Sequence, residues 1–194
     1  MLHSLSSRER LLIIGAGPVG LAMADALRKR GLAYDHVDAN NGVGGNWRSG
    51  IYKGVHIVSS KRSTAFADYP MPQHYPDFPG QEQMRVYLES YARDRGILSG
   101  IEFGRTVVRA TPLTDESWRV LFDDGEEREY KGLVVCNGHH WDKRYPDYPG
   151  HFTGTFIHSK DYREPKQLHD KRVLVIGGGN SGCDLACDAA RVGA

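Results

Sequence analysis

The chain has 194 residues, of which 40% are hydrophobic and 25% are charged, an ordinary composition for a soluble globular protein. Its 25 basic and 24 acidic residues give a formal net charge of +1, which argues against a surface that binds nucleic acid or an acidic membrane through overall charge. The three cysteines, Cys136, Cys183 and Cys187, form no framework of disulfides, and no stretch reaches the roughly 18–20 apolar residues of a membrane helix. We therefore expect a soluble, cytoplasmic protein.

The first predicted elements are a strand, a glycine loop and a helix. The apolar run Arg10–Ile14 is typical of a buried parallel strand, and Leu21–Arg30 has apolar residues at helical spacing. Between them, Gly15 permits a tight turn, Gly17 lets the backbone approach a pyrophosphate, and Gly20 allows the helix to pack closely on the strand. This order predicts a dinucleotide site at which the helix N-terminal amides face the phosphates.

An acidic residue and a second glycine loop follow. Leu32–Val37 is a predicted strand that ends in Asp38, 18 residues after Gly20, where a carboxylate accepts hydrogen bonds from ribose hydroxyls. Asn40–Trp47 then contains a glycine pair and a tryptophan, which resembles the second fingerprint of FAD enzymes with two dinucleotide domains. The resemblance favours FAD over NAD at this site. The alternative is a surface loop anchored by its tryptophan.

The sequence pattern in the middle of the chain predicts a loop, a helix and a small sheet. Prolines and aromatics between residues 66 and 80 exclude helix and predict an ordered loop that either covers a cofactor or forms a satellite cluster. Gln81–Arg95 has the pattern of an amphipathic helix, with Met84, Leu88, Tyr91 and Ala92 on its apolar face. An antiparallel insertion is predicted from three short strands, Phe103–Ala110, Trp118–Phe122 and Glu127–Cys136.

The last of these strands ends at a position that suits a cofactor. Gly138 has no side chain to block a close approach. His139 and His140 follow it, but adjacent strand residues point in opposite directions and no Cys, His or Asp set has ligand spacing. We therefore predict no metal site.

A second nucleotide motif begins with another apolar run, Arg172–Ile176, which predicts a buried strand. Gly177, Gly179 and Gly182 reproduce the spacing of the first motif 162 residues further along, and Asp184–Arg191 is the predicted start of a helix. Two glycine motifs indicate two nucleotides, a bound flavin and a nicotinamide that reduces it.

The segment before this motif carries a family resemblance. Phe152–Tyr162 reads Phe-x-Gly-x-x-x-His-x-x-x-Tyr, which resembles the fingerprint of class B flavoprotein monooxygenases. Ser159 and Tyr162 are similar to the flavin-containing monooxygenase branch, whereas Baeyer–Villiger enzymes usually have tryptophan at the last position. The resemblance implies an α/β fold, with a Rossmann-like FAD-binding domain carrying a small antiparallel insertion over residues 1–165. The start of a second Rossmann-like, NADPH-binding domain would occupy residues 166–194.

The resemblance also implies cofactors and site residues. FAD would be held by Gly15, Gly17, Pro18, Val19, Gly20, Asp38, Asn46 and Trp47, with backbone near Val108 at the adenine. The pyrophosphate of NADPH (NADP) would be held by Gly179, Asn180, Ser181 and Gly182. The family usually has glutamate at position 38, and an asparagine that many members place near the flavin falls on Val58 in our alignment.

The implied reaction is oxygenation of a soft nucleophile. NADPH would deliver a hydride to FAD, and the reduced flavin would react with O2 to give a flavin hydroperoxide that oxygenates an amine or a sulfide. Because the cofactor carries this chemistry, no catalytic acid or base is predicted. His158 is expected either to help join the two domains or to serve in packing. The expected partners are O2 and a small substrate.

Three alternatives stay open. A Baeyer–Villiger monooxygenase shares most of the motifs. A pyridine nucleotide–disulfide oxidoreductase needs a redox-active cysteine pair near the flavin, and Cys183 and Cys187, four apart on a helix, suit that role poorly. The third alternative is a fragment that binds FAD or a partner protein without turnover. It stays open because the chain is expected to end inside the first helix of its second nucleotide domain. A missing C-terminal half or an oligomer would then cover Arg172–Ile176, which would otherwise expose apolar faces.

Overall fold

The computed structural model describes residues 6–193, and these fall into two compact units. The first unit comprises the described residues up to Ser49 together with His56–His139. The second unit comprises Gly50–Val55 and the described residues from His140 onwards. No helix in the described part of the chain combines the length and the apolar character needed to cross a membrane.

The first unit contains two sheets. Their strands are β1 (Leu11–Ile14), β2 (Tyr34–Asp38), β3 (Ile101–Phe103), β4 (Val107–Pro112), β5 (Trp118–Phe122), β6 (Glu127–Tyr130) and β7 (Gly132–Val135). One sheet is parallel, with the order β3-β2-β1-β7, and the other is antiparallel, with the order β4-β5-β6. The expected α/β architecture with a small antiparallel insertion is therefore confirmed.

Helices connect and cover the strands. They are α1 (Pro18–Lys29), α2 (Asn46–Ser49), α3 (Lys61–Thr64), α4 (Gln81–Asp94) and, in the second unit, α5 (Asn180–Val192). Short 3-10 helices lie at Ser7–Glu9, Leu98–Gly100 and Pro165–Leu168. Helix α1 begins before the predicted Leu21 because a proline suits the first helical position, and it stops before Gly31, whose φ of +66° favours glycine.

Strand β1 lies at the centre of the core because both of its faces are covered. Ile13 packs in the cluster formed with α1 and α4, whereas Leu12 packs in a second cluster with residues of the antiparallel sheet such as Val120 and Phe122. Successive strand residues point to opposite faces, so the continuous apolar run is what a strand buried on both sides requires.

Two of the predicted strands are wrong in their extent. Phe103–Ala110 is split between β3 and β4 at Gly104, whose φ is +68°. The turn is held by the amides of Gly104 and Arg105, which donate to the carbonyls of Asn40 and Asp38. Glu127–Cys136 is likewise split at Lys131, whose amide donates to Arg10 O. As a result, β6 belongs to the antiparallel sheet and β7 belongs to the parallel sheet.

The proline-rich loop over residues 66–80 contains no helix, as predicted, and its first aromatics pack against α4. The rings of Phe66 and Tyr91 stack with centroids 4.0 Å apart. The Tyr87 hydroxyl accepts from Phe66 N and donates to Tyr69 O. This part of the loop is therefore a packed cluster on α4.

The second unit is built around α5 and a small aromatic core. Tyr52 and Tyr162 pack with ring centroids 5.5 Å apart, and each hydroxyl donates to an aspartate of α5 at 2.8 Å, Asp184 and Asp188 respectively. Tyr162, the last residue of the Phe152–Tyr162 pattern, is thus fully buried and hydrogen-bonded to α5, the helix that follows the second glycine loop.

The predicted strand Arg172–Ile176 is not formed in the described part of this unit. A strand needs neighbours that supply N–H and C=O partners, and no ladder of the described residues includes this segment. Leu174 is consequently 84% exposed. The expectation that the apolar faces would be uncovered is confirmed, whereas the prediction of a formed strand is wrong.

Candidate dinucleotide-binding sites

The first glycine loop lies where β1, β2 and β7 end. Gly15 N donates to Val37 O at 2.8 Å, and Cys136 N donates to Ile14 O at 2.8 Å. Gly15 has a φ of +108°, and a Cβ at this position would lie 2.4 Å from Cys136 O. A side chain would therefore meet both backbone strain and a backbone atom, so the turn requires glycine.

The other two glycines of the loop are needed for different reasons. A Cβ on Gly20 would lie 1.8 Å from Gly15 O, whereas a Cβ on Gly17 would meet, among the described residues, only Gly45 Cα, at 3.9 Å. Gly17 caps α1 without a side-chain hydrogen bond, and the first turn of α1 contains no acidic residue. The N-terminal amides of this helix are thus available to an anion that approaches Gly17.

A second glycine pair lies against the first loop. Gly44 N donates to Ala16 O at 3.0 Å, and a Cβ on Gly45 would lie 3.3 Å from Gly17 Cα. Asn46 begins α2, and its Nδ2 donates to His139 O at 3.3 Å, while its Oδ1 is buried and has no hydrogen-bond partner in the described part of the chain. Buried acceptors are rarely left in this state, so a ligand donor fits here.

Asp38 ties the first loop to the end of β2. It is only 6% exposed. Its Oδ2 accepts from Ala16 N at 2.5 Å, and its Oδ1 accepts from Asn40 N at 2.7 Å and Asn40 Nδ2 at 2.9 Å. An ionised carboxylate offers about four lone-pair sites, so these three bonds leave capacity for one further donor such as a hydroxyl.

Asp38→Asn is expected to lower the free energy of unfolding of the chain by about 1–3 kcal/mol, because an amide nitrogen would face an N–H donor and leave it unsatisfied. Chemical denaturation measures this loss. The matched control is Asp35→Asn on the same strand, where the ion pair with Arg10 is partly buried but the amide oxygen can still accept from the guanidinium, so we expect a loss of about 1 kcal/mol or less. Equal losses in the two variants would contradict the role given to Asp38.

Of the three further predicted positions, Trp47 is tied to the second loop through its amide, which donates to Gly44 O, whereas Val108 and Gly138 are less closely connected to the loops. Val108 is 59% exposed and lies at the register shift between Val107 and Arg109 in β4, where a bulge leaves one backbone unit outside the ladder. Gly138 follows β7 with a φ of +75°, and Trp47 packs half-buried against the main core. Gly138 is connected to the site through the residue that follows it, since His139 O accepts from Asn46 Nδ2. The described contacts do not connect Val108 to the site.

The second glycine loop has the backbone conformation of the first. Gly177 has a φ of +117°, and a Cβ on Gly182 would lie 2.2 Å from Gly177 O. Gly179 caps α5 with φ −77° and ψ 178°, close to the φ −79° and ψ −175° of Gly17. The match extends into the helices, where Cys183 N donates to Gly179 O as Leu21 N does to Gly17 O.

The open side of this loop is free of obstruction. A Cβ on Gly177, Gly178 or Gly179 would meet no atom of the described residues within 4 Å. Asn180 and Ser181 form the first turn of α5, which contains no acidic residue and has no side-chain cap. An anion can therefore reach the amides of this helix as well.

The histidine of the Phe152–Tyr162 pattern packs locally. His158 Nδ1 accepts from Lys160 N at 3.1 Å, and its ring lies edge-on to Tyr145 at 5.4 Å. Its expected part in joining two domains stays a prediction. Val58, where our alignment places the family's asparagine, is exposed.

His36 is a residue of the site that the sequence patterns missed. It lies in β2 at 1% exposure, and its Nε2 is 2.9 Å from Gly15 O. The one signal was a pair of polar side chains, Asp35 and His36, inside the predicted strand Leu32–Val37, which is uncommon in a buried strand unless such side chains have hydrogen-bond partners.

A strand, a glycine loop, a helix and a buried acid, followed by a second loop and helix of the same conformation, define a protein with two dinucleotide-binding motifs. The sequence model of the flavin-binding monooxygenase-like family matches residues 8–194. The chain belongs to this family.

Individual relatives agree with this assignment. The chain is 38% identical over 200 residues to flavin-containing monooxygenase 5 of Oryctolagus cuniculus, covering 93% of the chain and 38% of that protein. Among solved structures, S-allyl-L-cysteine S-oxygenase from Allium sativum has a TM-score of 0.86 at 29% identity, covering 95% of the chain and 49% of that protein. OTEMO in complex with FAD and NADP has a TM-score of 0.80 at 25% identity, with 97% and 38% covered. The chain thus spans less than half the length of these relatives.

Proposed function

We propose that the chain takes part in an FAD- and NADPH-dependent monooxygenase reaction, with FAD at the first glycine loop and NADPH at the second. The observation that carries the proposal is the shared conformation of the two loops, each with an uncapped helix N-terminus behind it. Such a terminus favours the negative charge of a dinucleotide diphosphate. Membership of the flavin-binding family supports a flavin at one of them.

The residues around the first loop suit FAD. Gly17 leaves its outer side open to a diphosphate, and Pro18 and Val19 place the first turn of α1 beside it. Asp38 retains capacity for a ribose hydroxyl, and Asn46 Oδ1 needs a donor. We assign the remaining predicted FAD contacts to Trp47, Val108 and Gly138, and the FAD domain to residues 1–165.

The residues of the second loop suit a nicotinamide dinucleotide. We assign its diphosphate to Gly177, Gly179, Asn180, Ser181 and Gly182, and we place the start of the corresponding domain at residue 166. Support comes from the open space in front of the loop and from OTEMO, a relative that was solved with both FAD and NADP.

The substrate proposed for the whole protein is a soft nucleophile, an amine or a sulfide, oxygenated by O2. The flavin, when bound, supplies the redox chemistry, and the residues of this chain bind and orient the two diphosphates. A relative named for the S-oxygenation of S-allyl-L-cysteine supports sulfur as an acceptor of the oxygen atom. The tyrosine at position 162 favours this branch over the Baeyer–Villiger one.

The test uses this chain, loaded with FAD. NADPH is added without oxygen while the visible flavin absorbance is followed, and O2 is then admitted with a thioether or with a cyclic ketone. We expect the flavin bands to bleach and a sulfoxide to form in step with NADPH consumption. Conversion of the ketone to a lactone would instead support the Baeyer–Villiger alternative. Bound FAD that NADPH never bleaches would support a non-catalytic flavin-binding chain.

We further propose a cytoplasmic location. The three cysteines are free thiols, which suits a reducing compartment, and the near-neutral charge offers no general attraction to anionic surfaces.

We also propose that the exposed apolar segment Arg172–Ile176 is covered in the working protein, by further chain or by a second copy. Fractionation of cells and the molar mass in solution test the two statements.

A further inference from the structure

The imidazole of His36 lies directly behind the first glycine loop. Its Nε2 is 2.9 Å from Gly15 O, and a Cβ built on Gly20 would lie 3.3 Å from the same nitrogen. The ring therefore occupies the space between the carbonyl that closes the tight turn and the glycine at which α1 approaches that turn. Its side chain is on the protein side of the loop, so it has no direct contact with a ligand in front of Gly17.

The surroundings determine which tautomer His36 adopts. A carbonyl oxygen can only accept, so Nε2 must carry the proton and donate to Gly15 O. His36 Nδ1 is buried and has no hydrogen-bond partner in the described part of the chain, and an N–H left unpaired there would cost free energy. The neutral ring with the proton on Nε2 is thus the form that fits.

The groups around the ring favour this neutral form. The partners of His36 in the neighbouring strands are Ile13 of β1 and Ile101 of β3, both apolar. Burial lowers the pKa of His36 below its ordinary value of 6.5, and the Gly15 carbonyl and the Asp38 carboxylate oppose this shift only in part. Tyr34 on the same strand contributes an edge-on ring contact.

We propose that His36 is a positioning residue for the first dinucleotide site, because its Nε2–H bond to Gly15 O sets the direction of the loop amides that receive a diphosphate. The loop is then held from three sides: by the Val37 carbonyl, by the Asp38 carboxylate and by His36. The inference rests on the proposed function in that it takes FAD as the ligand of this loop.

The test compares His36→Leu, which removes the donor, with His36→Gln, whose amide can still donate to the carbonyl. FAD and ADP are titrated into each variant and into the wild-type chain under conditions in which denaturation curves show that all three are folded. We expect His36→Leu to weaken both ligands by about tenfold, as the loss of one such hydrogen bond implies. His36→Gln should restore most of the affinity. ADP is included because it presents the diphosphate without the flavin.

The outcomes separate the two levels of the proposal. Wild-type chain that binds neither FAD nor ADP would overturn the proposed function. Wild-type binding that is matched by folded His36→Leu would overturn the role of His36 alone, as would a loss that His36→Gln does not rescue. Nitrogen NMR of the imidazole gives an independent check, since a ring protonated on Nδ1 at neutral pH contradicts the proposal.

Discussion

Gly20→Ala is expected to abolish FAD binding and to destabilise the first unit by about 3 kcal/mol, near the upper end of the usual cost of overpacking. The added methyl would lie 1.8 Å from Gly15 O, a backbone atom that cannot move without opening the turn. Relief would require α1 to shift away from β1, which would also displace the amides that face the diphosphate. Thermal unfolding and an FAD titration by fluorescence measure the two effects.

The matched control for this variant is Gly182→Ala in the second motif. There the methyl would lie 2.2 Å from Gly177 O, so the clash is of the same kind but in the other unit. We expect this variant to lose NADPH binding and to retain FAD. Wild-type FAD affinity and wild-type melting temperature in Gly20→Ala would show that the loop geometry described above is wrong.

Gly17→Ala should weaken FAD binding by at least about tenfold, or 1.4 kcal/mol, and leave folding nearly unchanged. The φ of −79° at this position is accessible to alanine, and within the described part of the chain the methyl would meet only Gly45 Cα, at ordinary contact distance. The methyl would instead fill the space through which the diphosphate approaches the backbone. Isothermal titration with FAD, together with urea unfolding, separates affinity from stability.

Gly179→Ala is the corresponding change in the second loop, where a Cβ would have no described neighbour within 4 Å. It should weaken NADPH by a similar factor and leave FAD affinity intact, so the two variants form a cross-test of the two assignments. If Gly17→Ala bound FAD as tightly as the wild type, or if Gly179→Ala impaired FAD instead of NADPH, the placement of the cofactors would be contradicted.

Local sequence patterns were sufficient to predict the elements whose signals lie within the element itself or next to it. β1, the glycine loop, α1 and β2 follow one another within 30 residues, and Gly31 marked the end of α1, whereas the signal of Pro18 at its start was missed, so that the helix was predicted three residues too late. The buried face of α4 was predicted for the same reason, since Met84, Leu88 and Tyr91 recur at helical spacing and are buried.

Elements that depend on distant partners were predicted less well. Phe103–Ala110 reads as one strand, but β3 and β4 belong to different sheets and Gly104 turns the chain between them. Arg172–Ile176 has the composition of a buried strand, yet strand formation requires neighbours to complete the ladder, and the described residues supply none.

The candidate site shows the same division. The glycines and Asp38 were found from spacing, because the spacing itself encodes the turn and the strand end. The contact of Gly45 with Gly17 and the unpartnered Oδ1 of Asn46 arise only when two loops meet in three dimensions. His36 was missed because its partner, the Gly15 carbonyl, is a backbone atom 21 residues away in sequence.

A crystal structure of this chain grown with FAD would show whether the first glycine loop holds the diphosphate of FAD. We predict diphosphate oxygens within hydrogen-bond distance of the amides at Gly17 and the first turn of α1, with a ribose hydroxyl on Asp38. A flavin dinucleotide found on the Gly179 loop instead, or an empty first loop at saturating FAD, would contradict the assignment of FAD to the first loop.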